Sequence, residues 1–251
     1  MSLKLIQEPP HVMRFRGFVR LIKYNISFVY YKKIHTFEVE GQSCIDPLKR
    51  VSVSPRTVSK FTGRMRSDEV QQVRKDIGTV RAGEWDRRSG KNISPHLPDC
   101  LTNILFDKRI YNTDIYKSFI KHFVDGIRWE CTSYFDALVK MVNQGYEWHG
   151  CQSQDDIKEW LKKLDRLFIS IRESGYKTQA TLGKYSNILD ELSNEVVVDR
   201  GRDGSFLLVC GRHRLIISRI LELDKIPVTV AVRHRQFIET DVPSRLGEGG
   251  S

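Results

Sequence analysis

Toward the C-terminal end of the 251-residue chain, Gly211-Arg212-His213-Arg214 follows the apolar run SFLLVC and opens a segment of helical periodicity. A helix N-terminus presents unpaired backbone N–H groups and a partial positive charge. Glycine lets an anion approach that backbone and arginine adds paired donors, so this order of residues suits a phosphate cradle. A second charged cluster, Glu84-Trp85-Asp86-Arg87-Arg88, reads as a turn after a short strand marked by Ile77 and Val80. Other candidates carry less chemistry. His149-Gly150-Cys151 offers two metal-ligand types without a partner pair, which is poor for zinc. Arg233-His234-Arg235 closes the last strand, where it either flanks a phosphate or is ordinary exposed charge, and Trp85, Trp129, Trp148 and Trp160 read as packing groups.

The elements that must position these residues are legible in part. Helices are expected near Asp114–Phe123 and Ser133–Gln144, the latter stopped by Gly145. The strongest helix starts at the cap Ser153 with Asp156 three residues on, carries Ile157, Trp160, Leu161, Leu164, Phe168 and Ile171 on one stripe, and ends at Gly175. After it the period changes. Glu195–Asp199 and Ser205–Cys210 are β-rich runs joined by Asp203-Gly204, a hairpin signal, and Pro227 opens a final strand after a helix over Arg212–Leu221. Between Gly41 and Ser94 the pattern is short and broken: DPLKRVSVSP predicts a turn and an extended piece, and residues 63–73 a polar, basic loop.

Charge is unevenly placed. The chain carries a net +10, and all of that excess lies in residues 1–94, while residues 95–251 are balanced. A polyanion, either nucleic acid or an anionic membrane, would be met through residues 12–91. Residues 12–33 space Phe15, Phe18, Val19, Ile22, Ile26, Val29 and Tyr30 helically, with no acid between Arg14 and Glu38. That pattern fits either an amphipathic helix at a membrane surface or a helix packed on the rest of the chain, and its aromatic and β-branched content also admits a strand. With 40% hydrophobic residues the chain can bury a core, which argues against wholesale disorder. Five scattered cysteines with no CxxC spacing argue for a reducing compartment. No spanning segment or signal peptide is recognised, so the expected location is cytoplasmic, with peripheral membrane contact through the basic stretch.

The order of helix with glycine stop, hairpin, Gly-Arg-His-Arg, helix and Ile-Pro strand resembles the N-terminal domain of ParB and the related sulfiredoxin fold. LDRLFISIRESGYKTQATLG and DGSFLLVCGRHRLIISRILELDKIPVTVAVRH carry the likeness. It covers residues 75–94 and 153–235, with 95–152 as a helical insertion. The resemblance implies an α+β (α/β) domain over 75–240, a small mixed sheet with flanking helices, preceded by a basic extension at 1–74 and followed by a flexible tail at 241–251. It implies a nucleoside di- or triphosphate with Mg²⁺, held by Gly211, Arg212, His213 and Arg214. The turn after the family's first strand also faces the nucleotide, so Glu84 or Asp86 would hold Mg²⁺ or act as base, and Arg87 would meet a phosphate. His213 joins Glu84 and Asp86 as a catalytic candidate. The ParB pattern of Asn-Pro and Gln-Pro-Arg is absent from that turn.

Three activities are known on this fold. Sulfiredoxin chemistry needs a cysteine directly before the His-Arg pair; Arg212 stands there, and Cys210 lies on the strand. ParB proteins carry a helix-turn-helix domain after the nucleotide domain, and none is visible beyond the last strand. The superfamily's free-serine kinase phosphorylates a small hydroxyl compound, and a nucleotide domain with a helical insertion resembles it best. Where related sequences have Asp before the box glycine, this chain has Cys210, which would impair catalysis if the acid serves metal or base. The expectation is a small-molecule kinase or NTPase acting on a hydroxyl-bearing acceptor. The alternative is a non-enzymatic ParB-like protein that binds nucleotide or DNA.

Overall fold

Each of three helices begins where a hydroxyl can replace a missing intrahelical acceptor. Thr113 accepts from the Tyr116 N–H at the start of α2 (Asp114–Phe123), Thr132 from Phe135 at the start of α3 (Ser133–Asn143), and Ser153 from Asp156 at the start of α4 (Gln154–Ser174). Asp156 returns the favour by accepting from the Ser153 hydroxyl and the Gln152 N–H. Gly175, at φ 71°, ends α4 as its position implies, and all six stripe residues of α4 are buried. These elements belong to a computed structural model, which describes residues 26, 29, 37–39, 42–46, 48–64, 70–87, 109–185 and 187–240.

The remaining elements are β1 (Phe37–Val39), β2 (Gln42–Ile45), β3 (Val51–Val53), β4 (Lys60–Phe61), α1 (Val70–Asp76) and β5 (Thr79–Arg81). After α4 come α5 (Gln179–Leu182), α6 (Ile188–Ser193), β6 (Val196–Arg200), β7 (Phe206–Cys210), α7 (Arg212–Ile220) and β8 (Ile226–His234). β1 and β2 form their own antiparallel pair. The other strands build a six-stranded mixed sheet in the order β3-β8-β6-β7-β4, with β5 also on β8. β6 runs parallel to β8 and antiparallel to β7, β5 runs parallel to β8, and β4 parallel to β7. Because β6 occupies one edge of β8, β3 and β5 share the other, β3 against its first residues and β5 against its last.

Both faces of the sheet are covered, which explains its near-continuous apolar strands. Val196 and Val198 point into the larger core with Phe119, Tyr134, Leu138, Ile157, Trp160 and Ile216, under α2, α3, α4 and α7. Val197, between them, points the other way to Val73, Trp85, Leu207 and Val232. On that second face Arg64 is buried and makes paired hydrogen bonds to Asp199, at 2.7 and 2.9 Å, and a third to Asp76.

Several expectations change. Residues 63–73 end in a helix, α1, rather than a loop throughout. β3 and β4 come from the stretch assigned to the basic extension, yet pair with β8 and β7, so the sheet begins well before residue 75. A strand as short as β4 has too few residues for its pattern to show in sequence. The amphipathic reading of 12–33 lies outside the described residues except for Ile26 and Val29, which are helical and exposed; the tail at 241–251 lies outside them altogether. No helix among the described residues is long and apolar enough to cross a membrane.

Candidate functional site

β7 ends at Cys210, and Gly211 turns the chain into α7 with φ 83°. A Cβ there would stand 2.8 Å from the Glu195 carbonyl oxygen and 2.8 Å from Val196 Cα, so the box glycine is required by the approach of β6. No side chain caps α7, and its first turn holds no acid, which leaves the turn electropositive.

The three basic side chains diverge from this turn. Arg212 is buried, its guanidinium carbon 5.9 Å from the Phe61 ring centre. His213 enters an aromatic cluster drawn from α2, α3 and α4: its ring stacks on Phe119 at 5.8 Å, meets Trp160 edge-on at 5.3 Å, and sets Nε2 3.2 Å from the Tyr134 hydroxyl. Burial, then the nearby His149 and Arg212, hold its pKa well below the usual histidine range, so His213 is neutral at pH 7. Arg214 turns to the segment after α4. It donates to Glu195 Oε2 at 3.0 Å, the Tyr176 hydroxyl at 3.2 Å and the Lys177 carbonyl at 2.9 Å. Glu195 is fully buried and also accepts from the Gln179 N–H, so Arg214 fastens the strand entry instead of pointing at an open site.

Sequence reasoning missed two residues that join the box. His149 stacks on Trp160 at 5.1 Å with the rings 9° from parallel, and its φ of 51° is a left-handed value seldom taken by a non-glycine residue. Tyr134 is fully buried, and burial pushes its phenol upward. The Arg212 charge acts on Tyr134, His149 and His213 alike. Tyr134 had no signal beyond a helix position, and His149 was weighed only as a zinc ligand. Among the described residues no three His, Cys, Asp or Glu side chains gather to hold a metal.

Glu84, Asp86 and Arg87 stand elsewhere. The parallel pairing of β5 with β8 and of β8 with β6 puts the turn after β5 at the C-terminal end of β6, beside the β6–β7 hairpin. Gly211 follows β7, which is antiparallel, and therefore lies at the opposite end of the sheet. The length of β6, roughly 13 Å at the usual rise per residue, separates the two groups. The expectation that the turn and the box face one nucleotide is not met by this topology.

At the hairpin end, Arg202 donates to both oxygens of Asp86 at 2.8–3.2 Å, to Glu84 at 3.0 Å and to the Gly83 carbonyl at 2.7 Å. Burial works to raise the Asp86 pKa, but hydrogen bonds from the Arg202 side chain and backbone, and its charge, outweigh this and set it at about 2. Arg87 is exposed and pairs with Glu84 at 3.2 Å. His234 Nε2 lies 2.9 Å from the Gly83 carbonyl, so the basic group that closes β8 also belongs to this end. With Asp86 bridged by arginine on both oxygens, and Glu84 shared by Arg202 and Arg87, these carboxylates do not fit a Mg²⁺ ion. Arg88 lies outside the described residues.

No family model matches the chain, and neither the curated proteins nor the solved structures contain a match to it.

Proposed function

We propose that the protein binds a nucleoside di- or triphosphate at the N-terminal turn of α7, as its resemblance to the ParB/sulfiredoxin superfamily implies, and that it does so as a binding protein. The observation that carries this reading is the buried Arg212 guanidinium, set at an uncapped, acid-free helix start among His213, His149 and Tyr134. Phosphate oxygens would accept from the backbone N–H groups of the turn and from Arg212. The aromatic rings of His149, from the insertion, and Trp160, from α4, would flank the rest of the nucleotide. Binding without phosphoryl transfer is favoured because Glu84 and Asp86, the expected bases, are held by Arg202 at the other end of the sheet. Glu195, the carboxylate that does reach α7, is buried on Arg214.

Calorimetric titration with ATP, ADP, CTP and GTP, with and without Mg²⁺, tests this directly. At least one nucleotide should bind, and Arg212→Ala should weaken it about tenfold or more, the usual consequence of removing one charged hydrogen-bonding group. Failure of all four to bind, or unaltered affinity in Arg212→Ala, would overturn the assignment. Product formation with a hydroxyl-bearing acceptor would restore the kinase reading.

A further inference from the structure

Arg219, in the last turn of α7, is held by backbone oxygens. Its Nε donates to the Pro55 carbonyl at 2.9 Å, and its Nη2 to the carbonyls of Arg56 at 3.1 Å and Val58 at 2.9 Å. These bonds tie α7 to the turn before β4 and fix the plane of the guanidinium. Carbonyl oxygens are neutral, so they orient the charge without cancelling it. No carboxylate among the described residues forms an ion pair with Arg219, and its Nη1 makes no hydrogen bond among them. The ionisable groups that act on it are the phenols of Tyr116 and Tyr111 and the cation of Arg56. Glu222 is the acid nearby, and it pairs with Arg56 at 2.8 Å.

Arg219 lines a cleft of about 530 Å³ between α2 and α7, whose walls are Tyr111, Tyr116, Ile120, Val124 and Ile220. Val124 is 60% exposed and Tyr111 39%, so apolar surface stands open to water beside a fixed cation. Mostly apolar walls with a few converging polar groups are what a small-molecule site requires. We infer that this cleft binds a hydrophobic monocarboxylate, its carboxylate on Arg219 Nη1 and its hydrocarbon over Ile120, Val124 and Ile220. One uncancelled guanidinium balances one negative charge, and the bond to a carboxylate is charge-assisted. The second carboxylate oxygen would accept from a tyrosine hydroxyl; that of Tyr111 already accepts from Arg109 Nη1 and keeps its own proton to donate. A dianion would meet the Glu222 carboxylate at the rim. The cleft lies at the opposite end of α7 from Gly211 and stands independently of the nucleotide reading.

Calorimetric titration of the full chain with octanoate, at ionic strength matched with chloride, tests the inference. Octanoate should bind, and Arg219→Gln should weaken it about tenfold or more, while Arg212→Ala keeps it. Val124→Asp, which sets a like charge on an exposed wall, should weaken it to a similar extent. Octan-1-ol, which lacks the charge, and acetate, which lacks the hydrocarbon, should both bind more weakly. If Arg219→Gln does not fold, Val124→Asp carries the test. Absence of octanoate binding, or wild-type affinity in Val124→Asp, would overturn the site. Equal affinity for octan-1-ol would overturn its preference for an anion. Octanoate binding lost in Arg212→Ala but kept in Val124→Asp would remove this site and place the ligand at the start of α7.

Discussion

Gly211 lies so close to Val196 that the two backbones leave no room for a side chain between them. The same glycine adopts φ 83°, so the turn from β7 into α7 and its seating on β6 depend on one missing methyl. Gly211→Ala should cost about 2–4 kcal/mol, combining left-handed strain with overpacking against rigid backbone. Urea denaturation would measure it, and a loss below about 0.5 kcal/mol would show that β6 moves aside.

Arg214→Ala should destabilise the fold by about 3 kcal/mol, since it leaves the buried Glu195 carboxylate short of its main partner. Adding Glu195→Gln should recover part of that loss. Additive effects across this double-mutant cycle would mean that Glu195 relies on the Gln179 N–H and Arg50 instead.

Acid should weaken the protein through His213 and His149. Both have folded-state pKa values below the ordinary histidine value, held there first by burial. Their stabilising contribution is therefore complete above about pH 6.5 and is lost on acidification, as the unfolded chain takes up protons that the folded chain refuses. Melting temperature should fall between pH 7 and pH 5, and His213→Gln should flatten that fall. An unchanged pH profile in His213→Gln would refute the assignment.

Asp86 carries the opposite shift over a lower window. Its folded pKa of about 2 lies below that of a free carboxylate, so the contribution of the Arg202 pair is present above about pH 4 and disappears as pH falls through 2. Asp86→Asn should lower the melting temperature at pH 7 and reduce its drop between pH 4 and pH 2. Melts over that range would check it, and equal drops in both proteins would show that Arg202 does not hold Asp86 in solution.

Tyr134→Phe removes the hydroxyl facing His213 Nε2 and should cost about 1 kcal/mol. Chemical unfolding of this variant, compared with His213→Gln and the double variant, would show whether the two residues are coupled across the helix interface.

The helices of the C-terminal half were legible because their signals are local. A cap at Ser153, an apolar stripe from Ile157 to Ile171 and a glycine at 175 act over a few residues, and each holds in the structure. The hairpin was legible for the same reason: Asp203-Gly204 fixes its turn, with Gly204 at φ 76°. β4 and α1 were not, since β4 is too short to show a pattern and α1 rose from a stretch that read as polar loop.

The candidate site was legible only as residues. Gly211 was marked as a glycine that lets an anion approach the backbone, whereas the structure's demand for glycine there comes from the backbone of β6. Arg212, His213 and Arg214 are consecutive, yet one helix turn sends them toward Phe61, Tyr134 and Glu195. Tyr134 and the place of His149 beside Trp160 had no distinguishing spacing, because partners brought together by packing leave no periodic trace.

By itself the sequence determined where helices and the hairpin start and stop, through caps, stripes and glycines whose physics is confined to neighbours a few residues apart. Tertiary structure alone decided which ends of the strands meet. Parallel pairing of β5, β8 and β6 carried Glu84 and Asp86 to Arg202 and away from Gly211, because strand direction is set by the crossover that buries the most apolar surface, which no short run of residues encodes.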